Sequence, residues 1–65
     1  MKITVNGVSV ETDATTLAQL LVEHGKAEAK IATAVNEAFV PAIARETHSL
    51  ADGDRVEIVA PRQGG

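Results

Sequence analysis

Hydrophobic and polar residues alternate along the first part of the chain. Apolar positions recur at every second residue in Ile3-Thr4-Val5 and again in Val8-Ser9-Val10. This period of two is typical of half-buried β-strands. The dipeptide Asn6-Gly7 lies between the two runs, and both residues tolerate the positive φ angles of a type I′ turn. The pattern therefore predicts a β-hairpin over residues 2–12.

The period changes to that of a helix within residues 13–25. Thr16 can cap the first turn, Gln19 three residues later suits a capping box, and Gly25 is a natural residue to end the helix. We expect a helix of about ten residues that lays one face on the sheet. The residues that share this face, at i, i+3, i+4 and i+7, are Leu17, Leu20, Leu21 and His24.

The second half of the chain predicts three more strands. Residues 31–35 alternate, with Ile31, Thr33 and Val35 on one face and Ala32 and Ala34 on the other. Asn36-Glu37 indicates a turn, and residues 38–40 form a short extended piece that ends before Pro41. Residues 55–60 form the last strand. The inward residues of that strand are Val56 and Ile58, and the outward ones are Glu57 and Val59.

The segment between Pro41 and the last strand has no clear period. We expect residues 42–50 to be irregular or a single helical turn, with Ile43 and Leu50 anchored in the core. Asp52-Gly53-Asp54 indicates a turn. The predicted order is β-β-α-β-β-β, which favours a two-layer α+β domain. The first and last strands could lie parallel at the sheet centre, because the long chain between them permits a crossover.

The sequence continues as Pro61-Arg62-Gln63-Gly64-Gly65, which offers no apolar side chain after the proline. We therefore divide the chain into a domain at 1–60 and a flexible tail at 61–65. Gly65 would present a carboxylate. Gly64 would provide clearance, because a residue without a Cβ can enter a narrow slot in another protein. A carboxylate becomes a reactive electrophile once a partner converts it to a mixed anhydride with a phosphate.

Composition and charge narrow the function classes. The chain has no cysteine and therefore no thiol nucleophile, so in any sulfur chemistry the sulfur must come from another protein. Nine acidic and six basic residues are interspersed, and Phe39 is the single aromatic residue, which argues against nucleic-acid binding. No apolar run is long enough for a membrane span, and no signal peptide is visible, so we expect no membrane association and a cytoplasmic location.

Candidate catalytic and metal-binding side chains are sparse. His24 and His48 lie on separate predicted elements without carboxylates at ligand spacing, so we predict no metal site. Thr15, Thr16 and Ser49 have no paired base, so nucleophilic catalysis is unsupported. We therefore expect the chain not to be an enzyme and its C-terminus to be the reacting group.

The whole chain resembles the ubiquitin-like β-grasp sulfur carriers, and most closely the thiamine-biosynthesis sulfur-carrier family, which is related to the small subunit of molybdopterin synthase. The resemblance rests on the order and spacing of short segments. They are Ile3-Thr4-Val5-Asn6-Gly7, Thr16-Leu17-Ala18-Gln19-Leu20-Leu21, Val35-Asn36-Glu37-Ala38-Phe39-Val40-Pro41, Asp52-Gly53-Asp54-Arg55-Val56-Glu57-Ile58 and Gly64-Gly65. It implies a ubiquitin-like β-grasp, with a mixed sheet of four to five strands on one helix. The segment Pro61-Arg62-Gln63 is less typical of the family.

The resemblance also implies a mechanism and partners. An E1-like adenylyltransferase would use ATP and Mg²⁺ to adenylate Gly65, and a desulfurase system would supply the sulfur that replaces AMP. Thiazole synthase would then take the sulfur from the resulting thiocarboxylate. The ATP and metal would be bound by the activating partner, because this chain has no Gly-rich phosphate loop with a lysine. We expect the free carrier to be a monomer without a bound cofactor.

Other functions use the same tail or none of it. A ubiquitin-like modifier would join Gly65 to a target lysine through an isopeptide bond, and a molybdopterin-type carrier would deliver sulfur to a different product. An inert β-grasp interaction module would not use the glycines. For partner docking, the sequence points to the outward Val59 together with Ala32 or Ala34, and to Arg62 in the tail.

Overall fold

The computed structural model describes residues 1–27 and 30–60. The chain starts with the predicted hairpin: β1 at Lys2–Val5 pairs antiparallel with β2 at Val8–Glu11. The turn residues Asn6 and Gly7 have φ angles of 51° and 81°, as a type I′ turn requires. Ile3 is fully buried. The alternation of apolar and polar residues therefore predicted both strands, but it did not predict that Val8 at the start of β2 is exposed.

The helix α1, at Leu17–Glu23, is shorter than expected. Thr16 caps its start, and the Thr16 hydroxyl accepts a hydrogen bond of 3.2 Å from the Gln19 backbone N–H. The Gln19 side chain does not complete a standard capping box, because its Oε1 accepts from the backbone N–H of Thr15 at 2.8 Å. Gly25 follows with a φ of 70°, which confirms its role in ending the helix.

The prediction that His24 shares the buried face of the helix is wrong. His24 is the C-terminal cap residue of α1 and is exposed to solvent. The helix ends at Glu23, so the helical spacing that aligns His24 with the leucines no longer applies. Leu17, Leu20 and Leu21 are buried as expected.

The sheet has five strands in the order β2-β1-β5-β3-β4. Its second half consists of β3 at Ala32–Val35, β4 at Ala38–Val40 and β5 at Arg55–Val59. The central pair, β1 and β5, is parallel, and β3 is antiparallel to both β4 and β5. The parallel pairing of the first and last strands is therefore confirmed, and the domain is an α+β β-grasp with a mixed sheet.

The core lies between α1 and one face of the sheet. Leu50 belongs to it, as predicted, but Ile43 does not, since 92% of its surface is exposed. Residues Ala42–Ala44 form a 3-10 turn after Pro41, in which Ala44 packs against the core instead. Successive side chains of a 3-10 turn point about a third of a turn apart, so only one can face inward. The buried apolar residues are Ile3, Ala14, Leu17, Leu20, Leu21, Val35, Val40, Leu50 and Val56.

Arg45 joins the loop after the 3-10 turn to β3. Its Nε donates to the Thr33 hydroxyl at 3.2 Å, and its Nη2 donates to the Ile31 carbonyl at 2.8 Å. The buried Thr33 hydroxyl in turn donates to the Val40 carbonyl at 2.9 Å. These bonds satisfy a buried polar side chain and hold the irregular segment against the sheet. Within the described part of the chain, no helix is long and apolar enough to cross a membrane.

Candidate partner-docking site

The last strand, β5, occupies the middle of the sheet and leads toward the glycine tail. Its neighbours are β1 on one side and β3 on the other. The predicted tail residues Arg62, Gly64 and Gly65 lie outside the described residues. The described residues nearest to them in sequence are Val59 and Ala60.

The open face of the sheet carries an apolar surface beside this strand end. Val59 of β5 lies opposite Ala32 of β3. On the other edge of β3, Ala34 lies opposite Phe39 of β4. Val59 is 60% exposed and Phe39 69% exposed, while the two alanines are partly exposed. Residues that face each other across antiparallel strands project from the same side of the sheet. We call Ala32, Ala34, Phe39 and Val59 the sheet-face patch.

The structure brings together the described residues that the sequence analysis proposed for docking. Val59 and Ala34 belong to the same open face, and Ala32 is the direct cross-strand neighbour of Val59. The sequence analysis missed Phe39, the largest apolar residue of the patch. Since Val40 is buried and residues of a strand alternate between faces, Phe39 lies on the open face of the sheet. An outward single aromatic residue next to outward alanines indicates a contiguous apolar surface.

A polar margin adjoins the patch. Glu57 lies opposite Ala34 on the open face, and Arg55 forms an exposed ion pair with Glu37 at 3.6 Å. Exposed ion pairs of this kind contribute little to stability. An apolar centre with charged residues at its edge is the usual composition of a protein–protein interface.

Two asparagine side chains hold the backbone of β5. At the tail end, Asn6 Oδ1 accepts from the Ile58 N–H at 2.8 Å, and Asn6 Nδ2 donates to the Ile58 carbonyl at 3.1 Å. At the opposite end, Asn36 Oδ1 accepts from the Arg55 N–H, and Asn36 Nδ2 donates to Asp54, both at 2.9 Å. Both asparagines are in hairpin turns with φ angles near 50°.

In the acidic turn before β5, both carboxylates accept hydrogen bonds from backbone N–H groups. Asp52 accepts from the Lys2 N–H at 2.7 Å, and Asp54 accepts from the Ala51 N–H at 2.8 Å. Gly53 between them has a φ of 90°, so the turn prediction is confirmed. Among residues 1–27 and 30–60, no three histidine or acidic side chains come close enough to hold a metal ion.

The fold and this surface define a ubiquitin-like β-grasp domain with an apolar patch next to its last strand. The model of the ThiS family matches residues 3–65, which is nearly the whole sequence. The chain therefore belongs to the ThiS family.

Solved structures agree with this assignment. A crystal structure of the thiamine biosynthesis protein ThiS from Geobacter metallireducens superposes with a TM-score of 0.86 at 28% sequence identity, with both chains covered completely. A solution NMR structure of a thiamine biosynthesis protein from the same organism gives a TM-score of 0.78 at 28% identity, covering 100% of this chain and 88% of that one. No curated protein is significantly similar to the chain in sequence.

Proposed function

We propose that this protein is a sulfur carrier for thiamine biosynthesis whose C-terminal Gly65 becomes a thiocarboxylate. The observation that carries the proposal is the ThiS-family match, which runs through residue 65 and so includes Gly64-Gly65. The structural likeness to a thiamine biosynthesis protein over the whole chain supports it. Together they favour a carrier over an inert interaction module, which would have no need of the glycines.

The chemistry proceeds in two stages at one carboxyl group. The Gly65 carboxylate attacks the α-phosphate of ATP on an E1-like enzyme, pyrophosphate leaves, and an acyl adenylate forms. The terminal sulfur of a persulfide from a desulfurase system then forms the C–S bond as the C–O bond to AMP breaks. A thiol reductant cleaves the S–S bond of the resulting acyl disulfide and leaves the thiocarboxylate. Sulfur is softer and more nucleophilic than the oxygen it replaces, so the thiocarboxylate can pass sulfur to thiazole synthase.

The carrier's own contribution is recognition and presentation. In this proposal the activating enzyme binds ATP and Mg²⁺, and the carrier contributes no catalytic side chain. The sheet-face patch docks on the enzyme, with Val59 and Phe39 as apolar anchors. Gly65 is six residues beyond Val59 in sequence, so an extended chain can place its carboxylate up to about 20 Å from the patch. Arg62, between the two, adds a positive charge to the contact.

Intact mass after activation tests the proposal. The carrier is incubated with a cognate activating enzyme, ATP, Mg²⁺ and a sulfur source. We expect a mass increase equal to the replacement of one oxygen by sulfur, which does not occur when ATP is omitted. Addition of thiazole synthase and its substrates should return the carrier to its original mass as the thiazole forms. A carrier that retains its thiocarboxylate there, or that is found linked to lysine, would favour the molybdopterin-type or modifier function instead.

A further inference from the structure

We infer that Asn6 is a positioning residue for the reaction at the C-terminus, through its hydrogen bonds to the end of β5. The inference rests on the proposed function and adds to it a residue far from the tail in sequence. Asn6 is 52 positions from Ile58, yet its carboxamide meets both backbone groups of that residue.

The geometry shows why β5 needs this support. β1 pairs with β5 only through Thr4 and Val5 and then turns away at Asn6-Gly7. The Asn6 backbone N–H makes the last main-chain bond, to the Val56 carbonyl at 2.8 Å. Beyond that point, the side of β5 that faced β1 would be an unpaired edge. The Asn6 carboxamide takes the place of the missing strand by accepting from the Ile58 N–H and donating to its carbonyl.

The contact between Asn6 and Ile58 lies next to the sheet-face patch that is proposed to dock on the activating enzyme. Ile58 immediately precedes Val59, the sheet-face patch residue on β5, and α1 lies on the other side of the sheet. With the Asn6 carboxamide removed, β5 beyond Val56 would be held on one side only, by β3. Residues Glu57 to Val59 would then depend on the pairing with β3 alone, so this end of the strand would separate from the sheet more often. The activating enzyme would meet a patch that is complete in only a fraction of the molecules.

This predicts an effect on KM rather than on kcat. A partner that binds only the ordered form has an apparent dissociation constant raised by the reciprocal of the ordered fraction. Once docked, Val59 is held by the partner, so adenylation proceeds at its normal rate. For Asn6→Gly we expect the KM for the carrier to rise by about three- to tenfold, with kcat within about twofold of the original.

Asn6→Gly is a precise probe, because glycine adopts positive φ readily and the turn is retained. Asn36→Gly is the matched control. Asn36 has a φ of 52° against 51° for Asn6, and its side chain also makes two hydrogen bonds, but at the end of β5 away from the tail. Asn36→Gly should leave both kinetic constants within about twofold. Asn6→Asp, which retains an acceptor for the Ile58 N–H but no donor for its carbonyl, should fall between Asn6→Gly and the original.

The experiment combines amide hydrogen exchange with ATP–pyrophosphate exchange on a cognate activating enzyme. Exchange at the Ile58 amide should accelerate by about five- to a hundredfold in Asn6→Gly, the effect of losing one or two hydrogen bonds. The acceleration is measured relative to the Leu20 amide, which reports global opening through its bond to Thr16. Equal acceleration at both amides, or equal KM values for Asn6→Gly and Asn36→Gly, would overturn the inference. A wild-type carrier that supports no pyrophosphate exchange would instead refute the proposed function.

Discussion

Asn36 and Glu37 both have left-handed backbone conformations in the turn between β3 and β4, with φ angles of 52° and 72°. Asparagine tolerates this region, but glutamate does so at a cost of about 1–2 kcal/mol. The equivalent position of the first hairpin is Gly7. The second turn is therefore strained at one residue, where the first turn is not.

Glu37→Gly should stabilise the domain by about 0.5–1 kcal/mol, because relief of the left-handed strain outweighs the greater freedom of glycine in the unfolded chain. The exposed ion pair between Glu37 and Arg55 contributes little to the free energy of unfolding, so its loss hardly reduces this gain. Urea unfolding checks this as a higher transition midpoint. Glu37→Ala removes the same carboxylate but retains the Cβ, and it should give no such gain. A gain in both variants would assign the effect to charge instead.

Val59→Asp should weaken binding to the activating enzyme by about tenfold or more, since a carboxylate buried in an apolar contact without a partner is costly. Thermal stability should barely change, because Val59 is already 60% exposed. Binding is measured by calorimetry and stability by thermal unfolding.

Val8→Asp is the control for this change. Val8 is 63% exposed, and β2 is at the far edge of the sheet from the patch. The affinity of Val8→Asp for the activating enzyme should equal that of the original protein. Phe39→Ala tests the patch independently of β5 and should also reduce affinity, as truncation of an aromatic anchor commonly does. Unaltered affinity in both Val59→Asp and Phe39→Ala would refute docking through the sheet-face patch.

At the scale of elements, the short helix depends on burial rather than on its own propensity. A helix of seven residues is too short to persist alone in water, so its leucines must be held by the sheet. Leu17 and Leu20 are completely buried. The domain is small, and the total stability expected of such a domain is only a few kcal/mol.

Leu20→Ala should cost about 2–5 kcal/mol through lost burial and the cavity that remains, which is enough to unfold much of the population. Circular dichroism with urea titration measures the loss. Val22→Ala in the same helix is the control, because Val22 is largely exposed and its truncation should change stability by about 0.5 kcal/mol or less. Full stability in Leu20→Ala would contradict the packing of α1 on the sheet.

At the scale of the whole molecule, the proposed function separates a folded recognition surface from a reacting terminus. Deleting Gly65 shortens the extended reach by about 3.5 Å, while reacting atoms must approach to about 3–3.5 Å. We therefore expect the deletion to abolish ATP–pyrophosphate exchange. Gly64→Val should do the same at full length, because a branched side chain blocks a narrow slot.

Stability and docking should survive both tail changes, since the core and the sheet-face patch lie within the described domain. Gln63→Ala, which retains the length and both glycines, should support normal exchange. Circular dichroism provides the folding check. If the carrier without Gly65 still supports full exchange, the glycines have no role in activation and the inert-module function becomes the better explanation.

Local pattern in the sequence was sufficient for most elements. The hairpin, the buried leucines and the acidic turn follow from side-chain period and turn chemistry, which act between residues close in sequence. The errors occurred at the end of the helix and in the segment that has no clear period. His24 lies beyond the last helical turn, and Ile43 lost the inward position of a three-residue turn to Ala44.

The sequence by itself determined the β-grasp class and the inward and outward faces of β3 and β5. Only the tertiary structure decided which outward residues meet. Phe39 joined Val59 and the alanines because β4 and β5 pair with opposite edges of β3, a matter of register that no local pattern specifies. The contact between Asn6 and Ile58 has the same origin, because it exists only once β1 and β5 lie side by side.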